Sequence, residues 1–277
     1  MKLIKQSFEI IQQKDLFKHI ELCGRVSYKS ENKITENSSK NFVEMIIKNN
    51  HTSVLEHGTV HLECPKKEET YNLRFAYNRN PYSFDYTVND IVHIVTNYRV
   101  LYENQWLQDM KYLSSKPIII NPRITVKFIC SRGISHELVR HRVFSFTQES
   151  TRYCNYSKDK FNNEVTFIEP EYLKDLNHKF SIDSFKEYLQ QSEKEYFELL
   201  NSGWKPEQAR EILPNALKTE VIMTGFLDEW LRFLQLRANS SAHPMMRELS
   251  IPLSKEINKI YINQLEIYEQ VKTIIDI

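Results

Sequence analysis

Residues 140–153, RHRVFSFTQESTRY, concentrate side chains that bind anions. Three arginines and one histidine are separated by hydroxyl side chains, a glutamine and aromatic rings. Arginine forks match the oxygens of phosphate and carboxylate, and aromatic rings provide a stacking surface for a flat ring. The residue types therefore predict a site for a phosphate that carries a ring, with a solvated basic edge as the alternative.

Two further arginines could serve the same site. Arg210 lies in PEQAREILP, where the proline indicates the start of a short helix, and Arg237 follows an apolar run in FLQLRANSSAHP. Arg210 could instead be a surface charge or pair with Glu207 or Glu211, because exposed ion pairs are common and weak. Arg237 is harder to explain in that way, since its stem could be carried towards the buried side of a helix.

Other chemistries find less support in the sequence. His51, His57, His61 and Cys64 lack the tight spacing of a zinc site, and His61 and Cys64 fall on opposite faces of a predicted strand, so we expect no metal. No cysteine lies in a recognisable nucleophile signature. The chain has five glycines and neither a G-x-G-x-x-G motif nor a P-loop. Any phosphate must therefore be held mainly by side chains.

The overall composition narrows the class of protein. With 37 basic and 36 acidic residues the net charge is +1, whereas proteins that wrap nucleic acid usually carry a strong basic excess. No stretch approaches the ~20 apolar residues of a membrane span, and the N-terminus does not resemble a secretory signal. The four cysteines are widely scattered, which favours free thiols in a reducing compartment. We expect a cytoplasmic protein that binds neither nucleic acid nor membrane.

The elements that position these residues predict an α+β fold. Apolar periodicity predicts helices over about 15–27, from Ser38 or Ser39, over about 88–113, over IDSFKEYLQQSEKEYFELLNSG, from Pro206, from Asp228 and over about 253–275. TVHLECP and RITVKFICS alternate as half-buried strands. We expect these strands to be neighbours, separated in the chain by an inserted helical segment. SHELVRHR is predicted as a short helix that delivers the first two arginines of the motif to a loop.

The stretch at 140–153 resembles the R-H-R-x-x-S…S-x-R signature of the flavin-dependent thymidylate synthases. The resemblance continues in order through GRVSY, NNHTSVLEHG, QAREILP, LKTEVIMTG and FLQLRANSSAHPMMREL, and only residues 66–121 lack a counterpart in the shortest members. It implies one thymidylate synthase domain over residues 1–277, with helices packed on a small, mainly antiparallel sheet and an insertion at about 66–121. It also implies a homotetramer with active sites at subunit interfaces.

The implied activity is conversion of dUMP to dTMP. The resemblance gives 5,10-methylenetetrahydrofolate as carbon donor, a tightly bound FAD as hydride carrier and NADPH as reductant. The residues implied to contact dUMP are Glu137, Leu138, Val139, Arg140, Gln148, Glu149, Ser150, Thr151, Arg152, Arg210 and Arg237. Those implied to contact FAD are Ser27, Ser53, Arg140, His141, Arg142, Gln148 and Arg232, with His51 near flavin and folate.

Within this set the resemblance implies distinct roles. Arg237 would lie against the uracil ring and activate it, because a guanidinium stabilises negative charge that develops there without losing its proton. Ser150 would contact substrate rather than act as a nucleophile, because the sequence fixes no base beside it and the family proceeds without an enzyme nucleophile.

The chain departs from the family pattern at three places. TGFLDEW puts Phe226 and Asp228 where many members carry Asn and Arg near the flavin. A Thr147-Gln148 pair replaces a frequent Asn-Glu pair, and Arg232 stands where Asn or His is commoner.

Two alternatives from other classes remain open at this point. One is a nucleic-acid-binding module that stacks bases on the phenylalanines of the motif. The other is a flavoprotein of the same fold that transfers a different group. A flavin spectrum of the purified protein separates the first alternative from the others.

Overall fold

The computed structural model describes residues 1–158, 161–175, 179–271 and 275–276. Its α-helices are α1 Leu16–Tyr28, α2 Ser38–Lys48, α3 Glu68–Asn78, α4 Tyr98–Glu103, α5 Arg132–Leu138, α6 Lys179–Asn201, α7 Pro206–Ala209, α8 Leu227–Arg237 and α9 Pro244–Val271. Its strands are β1 Lys2–Ile4, β2 Ser7–Ile11, β3 Thr59–Pro65, β4 Phe84–Val88, β5 Ile91–Asn97, β6 Arg123–Ser131, β7 Ser145–Gln148, β8 Thr166–Ile168, β9 Lys218–Phe226 and β10 Ile275–Asp276. Short 3-10 helices lie at Glu31–Lys33, Thr52–His57, Leu107–Tyr112, Glu171–Asp175 and Arg210–Ile212. The predicted α+β class is confirmed.

The main core surrounds an antiparallel sheet of order β2-β6-β9-β7. The apolar residues on one face of β6 and β9 pack against α8 and α9, with Phe128 and Trp230 fully buried between them. The other face is covered by α1, where Ile222 of β9 packs against Cys23 and Val26. Because side chains alternate along a strand, the two faces receive different residues from the same sequence.

A second antiparallel sheet, of order β10-β4-β5-β3, corrects one prediction. Residues 88–113, predicted as one helix, contain instead part of the β4–β5 hairpin, the short helix α4 and a 3-10 helix. Asn89 and Asp90 form the hairpin turn with φ of 50° and 59°, a conformation that Asn and Asp tolerate better than most residues. The β-branched run in IVHIVTN then favours a strand over a helix, although its apolar spacing fits both.

The strands TVHLECP and RITVKFICS form as predicted but are not neighbours. TVHLECP is β3 and pairs with β5, whereas RITVKFICS is β6 and pairs with β2 and β9 in the other sheet. The 66–121 segment is therefore not a helical insertion between adjacent strands. It combines α3 with a hairpin that extends the second sheet. A separate parallel pair joins β1 to β8.

Several helix ends also differ from the sequence prediction. Asp15, predicted as the first residue of this helix, is instead the N-cap of α1, and its carboxylate accepts from the Lys18 N–H at 2.8 Å. Asp228 does not cap α8, because Phe226 is the N-cap and Asp228 lies in the first turn. Helix α9 begins at Pro244 rather than at about residue 253, and Pro252 lies inside it.

Gly225 lets the sheet receive an aromatic ring just before β7. The ring of Phe144 packs over Gly225 and meets Trp230 edge-on, with ring centroids 4.8 Å apart. A Cβ on Gly225 would lie 2.4 Å from the Phe144 ring, inside van der Waals contact. The absence of a side chain at Gly225 therefore allows Phe144, which directly precedes β7, to lie close against β9.

We expect Gly225→Ala to lower the free energy of unfolding by on the order of 1–3 kcal/mol, because the Phe144 ring has to move out of a packed core. Gly133→Ala is the matched control: its Cβ would meet nothing closer than 3.6 Å, and alanine favours the helix. Urea denaturation of both variants measures the difference. Equal stabilities would contradict the packing argument.

Candidate functional site

The first half of the motif lies in a turn between α5 and β7. Ser131 caps α5 by accepting from the Ile134 N–H at 3.2 Å, and the helix ends at Leu138, before the arginines. Arg140 and Arg142 are both exposed, and neither forms an ion pair with any residue that the structure describes. Two cations that have no ion-pair partner among the described residues can receive an anionic group.

Arg237, at the C-terminal end of α8, is the most closely held of the predicted site residues. Its Nη1 donates to Glu137 Oε2 at 2.8 Å, its Nη2 donates to the Glu137 main-chain oxygen at 3.1 Å, and its Nε donates to His141 Nε2 at 3.0 Å. The side chain of Arg237 retains 19% of its exposure. These bonds use three of the five guanidinium N–H groups, and the other two form no hydrogen bond with the residues that the structure describes.

His141 serves this cluster in its neutral form. Burial, and secondarily the positive charge of Arg237, lower the pKa of His141 to about 4. Its Nε2 therefore carries a lone pair at neutral pH and accepts the Arg237 N–H. The ring is wedged edge-on against Phe233, with centroids 4.8 Å apart. The sequence predicted a flavin contact for His141, and the structure adds a bond to the arginine predicted to activate uracil.

The second half of the motif follows β7 and divides between the interior and the surface. Gln148 donates to Ser135 Oγ at 2.9 Å and to Thr219 Oγ1 at 3.1 Å. The N–H of Ser150 donates to the Ser27 main-chain oxygen at 3.0 Å, which brings together two residues assigned to different ligands.

Two residues predicted to contact dUMP have side chains that point into the protein. Glu149 is 1% exposed, and its carboxylate accepts from Lys218 Nζ at 2.8 Å. Leu138 is fully buried in the main core, while its neighbour Val139 is exposed. A buried carboxylate needs a partner, and Lys218 already provides it. Glu149 and Leu138 could therefore meet a nucleotide only through their backbone.

A cationic cavity of about 290 Å³ lies beside the end of the motif. Arg210 lines it and donates through Nη1 to Thr151 Oγ1 at 3.0 Å. Its wall also contains Arg132 and His136, which were not predicted as site residues from the sequence. Their spacing of four residues places them on one face of α5, which is the signal that could have identified them.

The sequence left open that Arg210 is a surface charge paired with Glu207 or Glu211, and only one of these two pairs is present. Arg210 Nε lies 3.4 Å from Glu211, but Glu207 approaches Arg152 instead, at 3.7 Å. Arg152 and both glutamates are exposed, so these ion pairs are weak and a phosphate could replace them. A second cavity, of about 320 Å³, contains Glu137 and shares Asn215 with the first. The two cavities therefore lie side by side next to α5.

The remaining flavin-side residues do not join the Arg237 cluster. His51 is exposed, with its Nδ1 3.1 Å from the hydroxyl of Tyr28, and Ser53 is exposed nearby in the chain. Arg232 is 67% exposed and pairs with Glu229 at 2.7 Å. No described contact links Arg232 to another predicted site residue.

Phe226 and Asp228, the two residues of TGFLDEW that depart from the family pattern, both make contacts within the chain. Phe226 is buried against Phe84 of the β4–β5 hairpin, with centroids 6.3 Å apart, and Arg123 lies 5.7 Å from its ring centroid. Asp228 accepts from Asn121 Nδ2 at 3.0 Å. The 66–121 segment thus contacts the positions where many family members carry flavin-proximal residues.

Comparison with known proteins identifies the family. Residues 84–261, more than half of the chain, match the family model described as thymidylate synthase complementing protein. The chain belongs to this family. The resemblance inferred from the motif is therefore confirmed.

Relatives named flavin-dependent thymidylate synthase occur in Pyrococcus furiosus, Thermococcus kodakarensis and Geobacter sulfurreducens. They are 38%, 37% and 31% identical to this chain over 130 residues, which are 47% of this chain and 52%, 51% and 53% of those relatives. The chain thus spans about half the length of the curated relatives that it matches. The four cysteines are buried free thiols, as predicted, and no helix in the described part of this family member could cross a membrane.

Behind the motif strand, three histidines lie near Arg123, a half-buried arginine. Burial, and secondarily the charge of Arg123, lower the pKa of His19 and of His61 to about 4. Burial likewise lowers the pKa of His57 well below its ordinary value. Burial also lowers the pKa of Arg123, to about 10, so it remains charged at neutral pH. The three rings must stay neutral for this cluster to remain buried.

Acidification should therefore destabilise the fold. Because the folded-state pKa values of His19 and His61 lie below 6.5, the unfolded chain takes up protons first as the pH falls. The contribution of these neutral histidines to the free energy of unfolding is therefore fully present above about pH 6.5. Between that pH and about pH 4 it declines by about 1.4 kcal/mol per pH unit for each histidine.

Urea denaturation of the wild type, His61→Gln and His136→Gln between pH 7 and pH 5 measures this decline. His61→Gln should show a shallower decline, by about one histidine's share, whereas His136→Gln, which removes an exposed ring, should match the wild type. The same slope in all three proteins would contradict the argument.

Proposed function

We propose that this chain catalyses the reductive methylation of dUMP to dTMP, with 5,10-methylenetetrahydrofolate as carbon donor. FAD would be the tightly bound cofactor and NADPH the reductant. Family membership supports the reaction class. The observation that supports it most directly is Arg237, half-buried and fixed by Glu137 and His141, with two N–H groups that form no hydrogen bond with the described residues.

Arg237 would act as an electrophilic anchor for the uracil ring. When C6 of uracil accepts hydride, negative charge develops on the ring, and a guanidinium at its N3 and carbonyl edge stabilises that charge. The two hydrogen bonds that Arg237 donates to Glu137 hold the guanidinium in one orientation before the substrate arrives, so little reorganisation is needed. His141 accepts the Arg237 Nε–H, which limits rotation of the guanidinium without adding a second charge.

The cationic cavity would hold the phosphate of dUMP. Arg210 and Thr151 are already bonded to each other there, and Arg132 and His136 line the same wall. Ser150 would add a neutral hydroxyl at the edge, because its Oγ lies 3.3 Å from the Arg152 N–H. Fork-shaped arginine donors suit a phosphate dianion. The adjoining cavity with Glu137 would leave the uracil within reach of Arg237.

Arg140 and Arg142 would contact the flavin, together with Ser53, Ser27, Gln148 and Arg232. When bound, FAD supplies a carrier that accepts hydride from NADPH and passes it on. Two exposed arginines without ion-pair partners among the described residues fit a cofactor that becomes anionic on reduction. His51 would line the flavin and folate side with its exposed ring.

The assembly we propose is a cytoplasmic homotetramer of one-domain subunits with active sites at the interfaces. Exposed apolar side chains support an interface beside the site: Val139 and Val143 flank the motif arginines, and Leu236 precedes Arg237. Exposure of Ser53 and Arg232 is consistent with sites that a second subunit completes.

The deciding experiment is anaerobic dTMP formation from dUMP, methylenetetrahydrofolate and NADPH. The wild type should be yellow and active, whereas Arg237→Ala should keep its flavin and lose on the order of 100-fold or more in turnover. Arg79→Ala is the control, because Arg79 is an exposed arginine that stacks on Phe75, which is not a predicted site residue. A colourless wild type that FAD cannot reconstitute would defeat the proposal, as would a flavoprotein that forms no dTMP.

Ser150→Ala should weaken dUMP binding by about tenfold while turnover stays measurable at saturating dUMP, because only one hydroxyl is lost. Isothermal titration and steady-state kinetics separate the two effects. Ser157→Ala, which removes an exposed hydroxyl bonded to Asn155, should change neither. Complete loss of turnover with normal dUMP affinity would mean that Ser150 has a chemical role.

A further inference from the structure

A chain of hydrogen bonds between side chains crosses the protein behind the motif strand. His19 Nε2 lies 3.1 Å from Thr125 Oγ1, and Thr125 Oγ1 lies 2.8 Å from Thr224 Oγ1. His57 then connects Thr224 Oγ1, 2.8 Å from its Nδ1, to Thr147 Oγ1, 2.9 Å from its Nε2. All five residues are buried, and they belong to α1, β6, β9, the 3-10 helix Thr52–His57 and β7.

The protons in this chain have a favoured direction. His19 Nδ1 is buried without a hydrogen-bond partner among the described residues, and an unpaired acceptor costs less than an unpaired N–H donor. His19 therefore carries its proton on Nε2 and donates to Thr125, which donates to Thr224, which donates to His57 Nδ1. His57 is then protonated on Nε2 and donates to Thr147. Each of the four hydrogen bonds then has one donor and one acceptor, while both imidazole rings remain neutral.

His57 joins two segments that carry different parts of the proposed flavin site. It ends the 3-10 helix that contains Ser53 and follows His51. Its partner Thr147 directly precedes Gln148 on β7. Because side chains alternate along a strand, Thr147 faces His57 while Gln148 faces Ser135 on the other side of the sheet. The bond thus sets the distance between the 51–53 segment and the strand that presents Gln148.

Arg123 provides a second connection between the 3-10 helix and β7, and this connection does not depend on His57. Arg123 donates to the Glu56 main-chain oxygen at 2.9 Å and lies 3.5 Å from Ser145 Oγ. Arg123 therefore holds the end of the 3-10 helix near the start of β7, and His57 holds it near Thr147. Loss of the His57 bond leaves the attachment at Glu56 in place, so the segment can shift without unfolding.

We propose that His57 is a positioning residue of the flavin site, acting through Thr147. Its neutral ring fixes the 51–53 segment relative to Gln148, so that the two sides are preorganised to receive the cofactor. This inference rests on the proposed function, because it assumes that flavin binds between these segments. His57 itself is fully buried, so it would act through its neighbours rather than by contact with the cofactor.

Two isosteric substitutions separate positioning from stability. Thr147→Val and Thr125→Val each remove one buried hydroxyl from the same hydrogen-bond chain, but only Thr147 lies on the motif strand. We expect similar decreases in melting temperature for both variants. Fluorescence titration with FAD should show a dissociation constant raised about tenfold for Thr147→Val and less than threefold for Thr125→Val. Equal changes in FAD affinity would overturn the proposal, because the loss of affinity would then be explained by the loss of stability that both variants share.

Substitution of His57 provides a rescue test. His57→Leu removes both bonds and should weaken FAD binding at least as much as Thr147→Val. His57→Gln, whose amide can still donate and accept, should recover most of that affinity. No recovery in a Gln variant that melts like the wild type would also overturn the proposal. A wild type that binds FAD but forms no dTMP would refute the proposed reaction. The comparison of FAD affinities among the variants could still be interpreted in that case.

Discussion

Strand β9 pairs with β6 along one edge and with β7 along the other, and the position of the site follows from that double pairing. The register sets Thr224 opposite both Thr125 and Ser145, and it sets Val221 opposite Gln148. A slip of one residue in β7 would exchange its two faces, turning Thr147 away from His57 and Gln148 away from Ser135. The burial of one apolar face under α8 and α9 prevents such a slip, because Phe146 would leave the core.

The sheet face towards α1 accommodates buried polar groups in two ways, because Lys218, Glu220 and Thr224 lie on the same face of β9. On the face towards α1, neutral histidines and threonines form a continuous hydrogen-bonded chain beside the charged Arg123. At the end of β9 that follows α7, charges are paired directly: Lys218 bridges Glu149 and Glu220 at 2.8 and 2.5 Å. Burial would raise the pKa of Glu220, but Lys218 and two other lysines hold it well below its usual range. Both arrangements keep the strand that carries the motif from moving.

The hairpin of the 66–121 segment has a structural part in the same region. Phe84 packs on Phe226, and Asn121 binds Asp228, so the segment is attached where β9 ends and α8 begins. Helix α8 carries Arg237 at its other end. The departures of this chain from the family pattern at Phe226 and Asp228 are therefore matched by contacts that the segment itself supplies, and these contacts help to orient α8.

Local patterns in the sequence determined the helix α1, the strands β3 and β6 and the donor-rich motif, because periodicity and residue type depend on neighbouring residues. The family could also be inferred, since the motif is long and ordered. The hairpin in 88–113 could have been found from Asn89 and Asp90, but its apolar spacing suits a helix equally well. Only the tertiary structure decided that Glu149 turns inwards, that Arg132 joins Arg210, and that His57 meets Thr224, which is 167 residues away in the chain. These facts depend on the register of strands and on burial between distant segments, and no local pattern carries that information.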